Sequence, residues 1–338
     1  MPQKHITILG AGITGLTTAL KLNSDPSAQY HITLIASHYP GDESIDYTSP
    51  KAGADWSPQA TSSPADAEMR EYDKNVVKDF AVLDLEKEDA APEGAVMGVR
   101  CQTICLDVPQ HLQYLLEKVR EAGVNVIRSV VDVSHGLEGV VQDAKRIAME
   151  STYAVQDSDV FALVNCTGLG ARHFVGEEEA AKLFPIRGQT ITVKGEAAMD
   201  RTYDDFPPIS SSIDDENELT YVIPRPGSGT TIFGGCKQVG NWDPKVDEEL
   251  NGRMVERIKK WRLAEELRTG KEGDFEVVSS QVGLRPGRKG GPRVEIEGKE
   301  KVDGVWVVHS YGHAGAGYQS SVGCSEKVAK IVNELARL

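Results

Sequence analysis

The hydrophobic pattern changes period twice within the first 36 residues. His5 to Leu9 is a short apolar run rich in β-branched residues, and a glycine-punctuated turn, Gly10-Ala11-Gly12-Ile13-Thr14-Gly15, follows it. Leu16 to Leu22 then reads as a helix, and Tyr30 to Ala36 alternates as a second strand. Strand, turn, helix and strand make a βαβ unit, which predicts the opening of a parallel sheet.

Residues 41–75 are loop-rich, with Gly, Pro, Ser and Asp scattered through them. An amphipathic helix over Leu112 to Ala122 leads into a strand over Val124 to Ile127, and Val160 to Asn165 is an apolar strand ending in Cys166-Thr167-Gly168-Leu169-Gly170. From about 186 to 240 the pattern becomes alternating strands with turn punctuation: Gln189 to Val193, Thr220 to Ile223 and Thr230 to Phe233. A helix is expected over Asp247 to Leu267, strands over Glu276 to Gln281 and Val305 to His309, and a closing helix over Ser320 to Leu335. Parallel-sheet elements therefore sit at both ends with an antiparallel section between them. The expected fold class is α/β: a Rossmann-like nucleotide domain built from discontinuous segments, with an inserted antiparallel-sheet domain. No internal repeat, low-complexity tract or Pro/Gly linker divides the chain.

Composition narrows the classes. Lys plus Arg total 37 and Asp plus Glu total 51, a net charge of −14. That argues against nucleic acid and against anionic membrane surfaces as partners. With 40% hydrophobic and 26% charged residues the chain is globular rather than disordered. No apolar run approaches the roughly 20 residues of a membrane span, and the opening residues do not form a signal peptide. The cysteines at 101, 105, 166, 236 and 324 are odd in number and widely spread, which suits free thiols in a reducing compartment. Their spacing offers no metal site.

Gly10-x-Gly12-x-x-Gly15 lies between a strand and a helix, the context a dinucleotide fingerprint requires. Gly10 permits the tight turn, Gly12 lets backbone approach a pyrophosphate, and Gly15 lets helix and strand pack closely. The acid usually found about 20 residues further on, for the ribose hydroxyls, is missing. The second strand ends Ile35-Ala36-Ser37-His38, so Ser37 or His38 is the ribose candidate. Nothing nearby decides between NAD and FAD.

Seven further motifs follow the fingerprint: Ala52-Gly53-Ala54-Asp55-Trp56, Val164-Asn165-Cys166-Thr167-Gly168, Arg187-Gly188-Gln189, Thr220-Tyr221-Val222-Ile223-Pro224, Gly234-Gly235, Val282-Gly283-Leu284-Arg285-Pro286 and Tyr311-Gly312-His313-Ala314-Gly315-Ala316-Gly317-Tyr318-Gln319. With these eight in order across nearly the whole length, the chain resembles the D-amino-acid oxidase family of flavoproteins, which includes the D-aspartate oxidases, in its fungal form. The resemblance implies an FAD-binding Rossmann-like domain over 1–50, 110–185 and 295–338, and a substrate domain over 51–109 and 186–294. It implies non-covalent FAD, held by the fingerprint residues Gly10, Ala11, Gly12, Ile13, Thr14 and Gly15, and by Thr48 and Ser49 beside them. Gly53, Ala54 and Asp55 would face the flavin ring, and Val131, Thr167 and Gly168 would lie near the adenosine. Gly312, Gly315, Ala316, Gly317, Tyr318 and Gln319 would form a glycine turn and helix start at the pyrimidine end, where a helix N-terminus favours negative charge.

For the substrate, the resemblance implies a carboxylate paired with Arg285 and Tyr221, and an amine bonded to the Gly315 carbonyl. On the residues alone, Arg285 reads equally as a surface ion pair and Tyr221 as a strand aromatic. The implied reaction oxidises the Cα–N bond of a D-amino acid. The Cα hydrogen leaves as hydride to flavin N5, the imino acid hydrolyses to a 2-oxo acid and ammonia, and oxygen becomes hydrogen peroxide. No catalytic general base is required, and His313 is not assigned that role. Lys237 stands where D-aspartate oxidases tend to carry a basic residue, although it reads equally as a solvated strand-end lysine. Asp214 stands about where some of those enzymes place an arginine, and Arg100 is a further basic candidate. A general D-amino-acid oxidase is the preferred expectation. D-aspartate oxidase, a glycine or sarcosine-type amine oxidase, and a flavin protein without turnover are the alternatives.

The tripeptide Ala336-Arg337-Leu338 fits the small–basic–leucine form of a peroxisomal signal, which predicts a peroxisomal import receptor as partner. A cytoplasmic enzyme is the alternative. The signal would require Asn333 to Leu338 to be frayed and solvated. The connection from Arg293 to Val305 is too short for the inserted loop used in dimer contacts by some yeast relatives, and homo-oligomerisation stays open.

Overall fold

The computed structural model describes residues 4–24, 30–56, 78–86, 95, 97–151, 160–203 and 218–337. Its first half contains β1 (Lys4–Leu9), α1 (Ile13–Asn23), β2 (Tyr30–Ala36), β3 (Lys78–Val82), β4 (Val99–Gln102), α2 (Val108–Glu121), β5 (Asn125–Arg128), α3 (Gly136–Ser151), β6 (Val160–Asn165) and α4 (Glu177–Ala180). Its second half contains β7 (Leu183–Lys194), β8 (Arg201–Tyr203), β9 (Glu218–Arg225), β10 (Thr230–Cys236), β11 (Gln238–Val239), α5 (Glu248–Lys260), β12 (Val277–Arg288), β13 (Arg293–Ile296), β14 (Trp306–Tyr311) and α6 (Gly317–Ala336).

Six strands form one sheet in the order β13-β14-β6-β1-β2-β5. All its pairings are parallel except that of the edge strand β13 with β14. Both faces are covered, so the central strands are buried along nearly their whole length, the polar His5, Thr7 and Thr33 included. Ile6, Ile8 and Leu34 are fully buried, together with Leu16 and Leu22 of α1 and Val328 and Val332 of α6. The second sheet is antiparallel, in the order β11-β7-β10-β9-β8, with β12 also paired to β7. Its core is Ile191, Val193, Val222 and Phe233, closed by Leu250, Met254 and Ile258 of α5. This is the expected α/β architecture, assembled from chain ends around an antiparallel insertion. No described helix is long and apolar enough to cross a membrane.

Several expectations need correction. The helix expected to Leu267 ends at Lys260, because Arg262 turns into the left-handed region (φ 53°) and Glu265–Leu267 is a separate short turn. The strand expected over Glu276 to Gln281 instead runs as β12 from Val277 to Arg288. Its Pro286 faces Pro185 of β7, and β12 has no second ladder partner among the described residues, so Pro286 removes no ladder donor there. Helix α3 has no counterpart among the expected elements. The last turn of α6 is docked rather than frayed: Leu335 is buried, the Tyr30 hydroxyl donates to the Asn333 side chain (2.6 Å), and Lys4 Nζ donates to the Ala336 carbonyl. Arg337 is exposed, while Leu338 and Asp214 lie outside the described residues. All five cysteines are free thiols.

Candidate active site

A cavity of about 830 Å³ opens where the carboxyl ends of β1, β2 and β6 meet the face of the antiparallel sheet. β1 lies between β2 and β6, so the chain order reverses there, the place where α/β sheets bind ligands. The turn from β1 to α1 is compact enough to exclude side chains. Gly10 has φ +101°, and a Cβ on Gly15 would stand 1.8 Å from the Gly10 carbonyl oxygen. Gly15 thus seats the helix against the turn and does not line the cavity, whereas Gly10, Ala11, Gly12, Ile13 and Thr14 do. The α1 N-terminus has no cap from its own segment; Ser49 Oγ accepts the Ile13 N–H at 3.0 Å.

Other bonds hold the walls. The Thr48 hydroxyl donates to the Leu284 carbonyl (2.6 Å), the Tyr47 hydroxyl to the Ala11 carbonyl (2.7 Å) and the Tyr318 hydroxyl to the Ser49 carbonyl (2.9 Å). The Arg225 guanidinium donates to the carbonyls of Ala52 and Gly53. Ser37 and His38 line the cavity hydrogen-bonded to each other (2.9 Å), and His38 stacks on Tyr47. Gly53, Ala54, Asp55, Val131, Thr167, Gly168, Gly315, Ala316, Gly317, Tyr318 and Gln319 all line it; Gly312, with φ +83°, shapes the preceding turn instead.

On the antiparallel face, glycines make room for two side chains. A Cβ on Gly188 would stand 2.4 Å from Arg285 Nη1, and one on Gly234 would stand 1.9 Å from Tyr221 Cζ. Tyr221 and Arg285 are neighbours in this wall. Burial pushes the Tyr221 phenol up, while the Arg285 charge opposes that shift. Arg285 Nη1 donates to the Cys236 carbonyl (3.1 Å), and no described carboxylate pairs with it. Gly315 is close by: a Cβ there would be 4.0 Å from Arg285 Cδ. Lys237 also lines the cavity, exposed and with no described acidic partner. Arg100 is exposed on β4 and does not line it, and Arg187 is a buried clamp on the carbonyls of Asp243 and Lys245.

Asp200 has no signal in the sequence. It accepts from the Cys105 thiol (3.8 Å), and Cys105 bridges Asp55 in the cavity wall. Burial, and then repulsion from Asp55, pushes the Asp200 carboxyl up to about 7. Burial also raises Asp55. A native carboxyl raised above its ordinary 3.8 favours the protonated form, so its contribution to stability declines as pH rises from about 4 to about 7. Asp200→Asn should therefore melt above wild type by a margin that grows across that interval and is level beyond it. Thermal unfolding at several pH values checks this, and a margin independent of pH would contradict it.

Thr190 Oγ1, Ser310 Oγ and His313 Nε2 are buried, belong to residues lining the cavity and have no hydrogen-bond partner among the described residues. Buried polar atoms require partners, so these fit a polar occupant. Burial holds His313 down to about 4, neutral at physiological pH. A helix N-terminus at one end, a glycine cradle and orphaned polar atoms along the wall suit a large dinucleotide.

The fold and cavity define a dinucleotide-dependent oxidoreductase architecture. Residues 54–331 match the FAD dependent oxidoreductase family, and the chain belongs to it. FAD is its cofactor, and the cradle just described fits that group. The chain is 33% identical to a D-amino-acid oxidase of Schizosaccharomyces pombe, over 95% of this chain and 93% of that one. It is 28% identical to a D-aspartate oxidase of Talaromyces thermophilus, over 98% and 95%. Among solved structures, glycine oxidase from Bacillus cereus shares the fold with a TM-score of 0.66 at 14% identity, covering 98% of this chain and 95% of that one.

Proposed function

We propose that this chain is a D-amino-acid oxidase: D-amino acid, oxygen and water give a 2-oxo acid, ammonia and hydrogen peroxide. The observation that carries the reading is Arg285, a guanidinium without a carboxylate partner among the described residues, beside Tyr221 in the wall of the cavity that holds the dinucleotide fingerprint. A guanidinium fork matches a substrate carboxylate bidentately. The Tyr221 hydroxyl, kept protonated by burial, donates to the same group. The carbonyl of Gly315, which lines the cavity close to Arg285, accepts from the substrate amine. Three contacts fix which face of Cα is presented, so chirality is a positioning effect. Bound FAD would supply the hydride acceptor and the reaction with oxygen.

In this reading Gly10 to Thr14, with Thr48 and Ser49, cradle the pyrophosphate. Ser37 and His38 meet a ribose, Gly53 to Asp55 face the ring system, Val131, Thr167 and Gly168 lie near the adenosine, and Gly315 to Gln319 close the far end. Residues 1–50, 110–185 and 295–338 carry the cofactor, and 51–109 and 186–294 the substrate. No side chain acts as general base. His313, neutral and buried, is suited to hydrogen bonding rather than to holding a proton.

Lys237 favours a second reading, oxidation of acidic D-amino acids. Lys237 lines the cavity, follows Cys236, whose carbonyl Arg285 holds, and has no acidic partner among the described residues; the similarity to a D-aspartate oxidase agrees. A panel of D-alanine, D-methionine, D-aspartate and D-glutamate scored by peroxide tests both readings. If Lys237 pairs with a substrate side chain, Lys237→Met weakens D-aspartate use at least tenfold more than D-alanine use, about the difference one charge-assisted bond makes. Equal losses would leave a solvated lysine, and silence across the whole panel would end the oxidase reading. For the peroxisomal address, Ala336-Arg337-Leu338 and a peroxide-forming reaction speak in favour, and the docked last turn of α6 speaks against. An N-terminal fluorescent fusion should be punctate, and diffuse fluorescence would place the enzyme in the cytoplasm.

A further inference from the structure

Behind the cavity wall a line of hydrogen bonds crosses the parallel sheet to its edge. Thr167 donates its N–H (3.1 Å) and its hydroxyl (2.8 Å) to the side-chain oxygen of Asn165. That fixes the orientation of the amide, so its NH2 faces His309 Nδ1 at 3.2 Å. An amide NH2 only donates, so Nδ1 is the acceptor and the ring proton sits on Nε2. Nε2–H then donates to Glu297 Oε2 (2.7 Å), which also accepts from Arg293 Nη2 (2.9 Å). Asn165 and His309 are fully buried, whereas the Glu297 side chain is a third exposed (33%).

Each bond in this line has one allowed direction. The Thr167 hydroxyl has spent its only proton on Asn165, so its oxygen can only accept. A second proton on His309 would set N–H against NH2 and break the line. The charged groups that face the ring are Glu297, Arg293 and, further off, Glu179, with the edge-on Tyr311 ring 5.4 Å away. Burial keeps the imidazole neutral against the pull of Glu297. Such a chain of buried, fully paired groups does more than fill space, because it specifies one orientation for the residue at its end.

We propose that His309 is a positioning residue for the cofactor: anchored by Glu297, it aligns Asn165, and Asn165 fixes Thr167 as an acceptor in the wall of the FAD site. FAD affinity then depends on a side chain that does not line the cavity. The inference rests on the reading that Thr167 touches FAD.

The test is release of FAD from the holoenzyme on dilution, followed by recovered flavin fluorescence, with unfolding of each variant recorded alongside. His309→Leu should raise the FAD dissociation constant about tenfold, the effect of one buried hydrogen bond left unmade. His309→Gln should stay within about threefold of wild type, because its amide presents an oxygen toward Asn165 and an NH2 toward Glu297. In a Thr167→Ala background, His309→Leu should add almost nothing, since the two share one pathway. Unchanged affinity in His309→Leu, equal losses in the Leu and Gln variants, or full additivity with Thr167→Ala would each overturn the proposal. If His309→Leu fails to fold, Glu297→Ala carries the test from the exposed end: weaker FAD binding restored by Glu297→Gln supports it, and unchanged binding overturns it. A wild-type protein without FAD would instead sink the assignment of Thr167 to a flavin site.

Discussion

Replacing Arg285 with alanine should cut kcat/KM for D-amino acids by roughly thirty- to several-thousandfold while leaving the flavin content unchanged. The range follows from a desolvated charge pair worth roughly 2–5 kcal/mol, at tenfold per 1.4 kcal/mol. The effect should fall on the substrate because no carboxylate among the described residues pairs with Arg285 and would be stranded. Among the described residues its guanidinium donates to the Cys236 carbonyl and lies beside the Tyr221 phenol. Most of the loss should appear in KM, since the guanidinium meets the substrate carboxylate before as well as during reaction. Arg285→Lys should recover only part, because a point charge lacks the planar fork that spans both oxygens. Steady-state kinetics beside the flavin-to-protein absorbance ratio decide it. Unchanged kcat/KM removes Arg285 from the site, and lost flavin moves it to the cofactor.

Gly15→Ala should have the opposite signature, loss of bound FAD and of stability together. Its Cβ would stand 1.8 Å from the Gly10 carbonyl oxygen and 2.9 Å from the carbonyl carbon, both backbone atoms. No side-chain rotation relieves that overlap. Helix α1 must lift away from the turn, which carries its free N–H groups off the phosphate position and opens the buried contacts of Leu16 and Ala19. The control is Gly252→Ala on α5, where a Cβ meets nothing within 4 Å. There the change should be neutral or stabilising by up to about 1 kcal/mol, with flavin retained. Flavin content and melting temperature read both variants. A yellow, normally stable Gly15→Ala protein would contradict the close-packed turn.

The β1–α1–β2 unit was legible because three signals coincide there: β-branched residues, glycines at fixed offsets and a change of hydrophobic period. Tyr221, Arg285 and the turn after Gly312 were legible only through the resemblance, since a strand tyrosine or arginine has no period of its own. The rest depended on tertiary partners. The strand expected to end at Gln281 continues as β12 through Gly283 and Pro286, because β7 pairs with it along that whole stretch. Asp200 becomes notable only when β8 approaches Asp55 and Cys105. The chain's end looked like a free tail, but the apolar repeat of α6 extends through Val332 to Leu335, and Tyr30 and Lys4 hold it. His309 read as one more strand residue; the bonds to Asn165 and Glu297 arise only when β6, β14 and the segment after β13 come together.

The central claim is that this cavity brings a D-amino acid to the flavin. Mixing the purified holoenzyme with D-alanine, and separately with D-aspartate, in the absence of oxygen tests it most directly. The account predicts that at least one of them bleaches the flavin absorbance, that L-alanine, glycine and sarcosine do not, and that the matching 2-oxo acid and ammonia are recovered when oxygen is admitted. A flavin that stays oxidised with every D-amino acid tried, or that is reduced only by glycine or sarcosine, would contradict it.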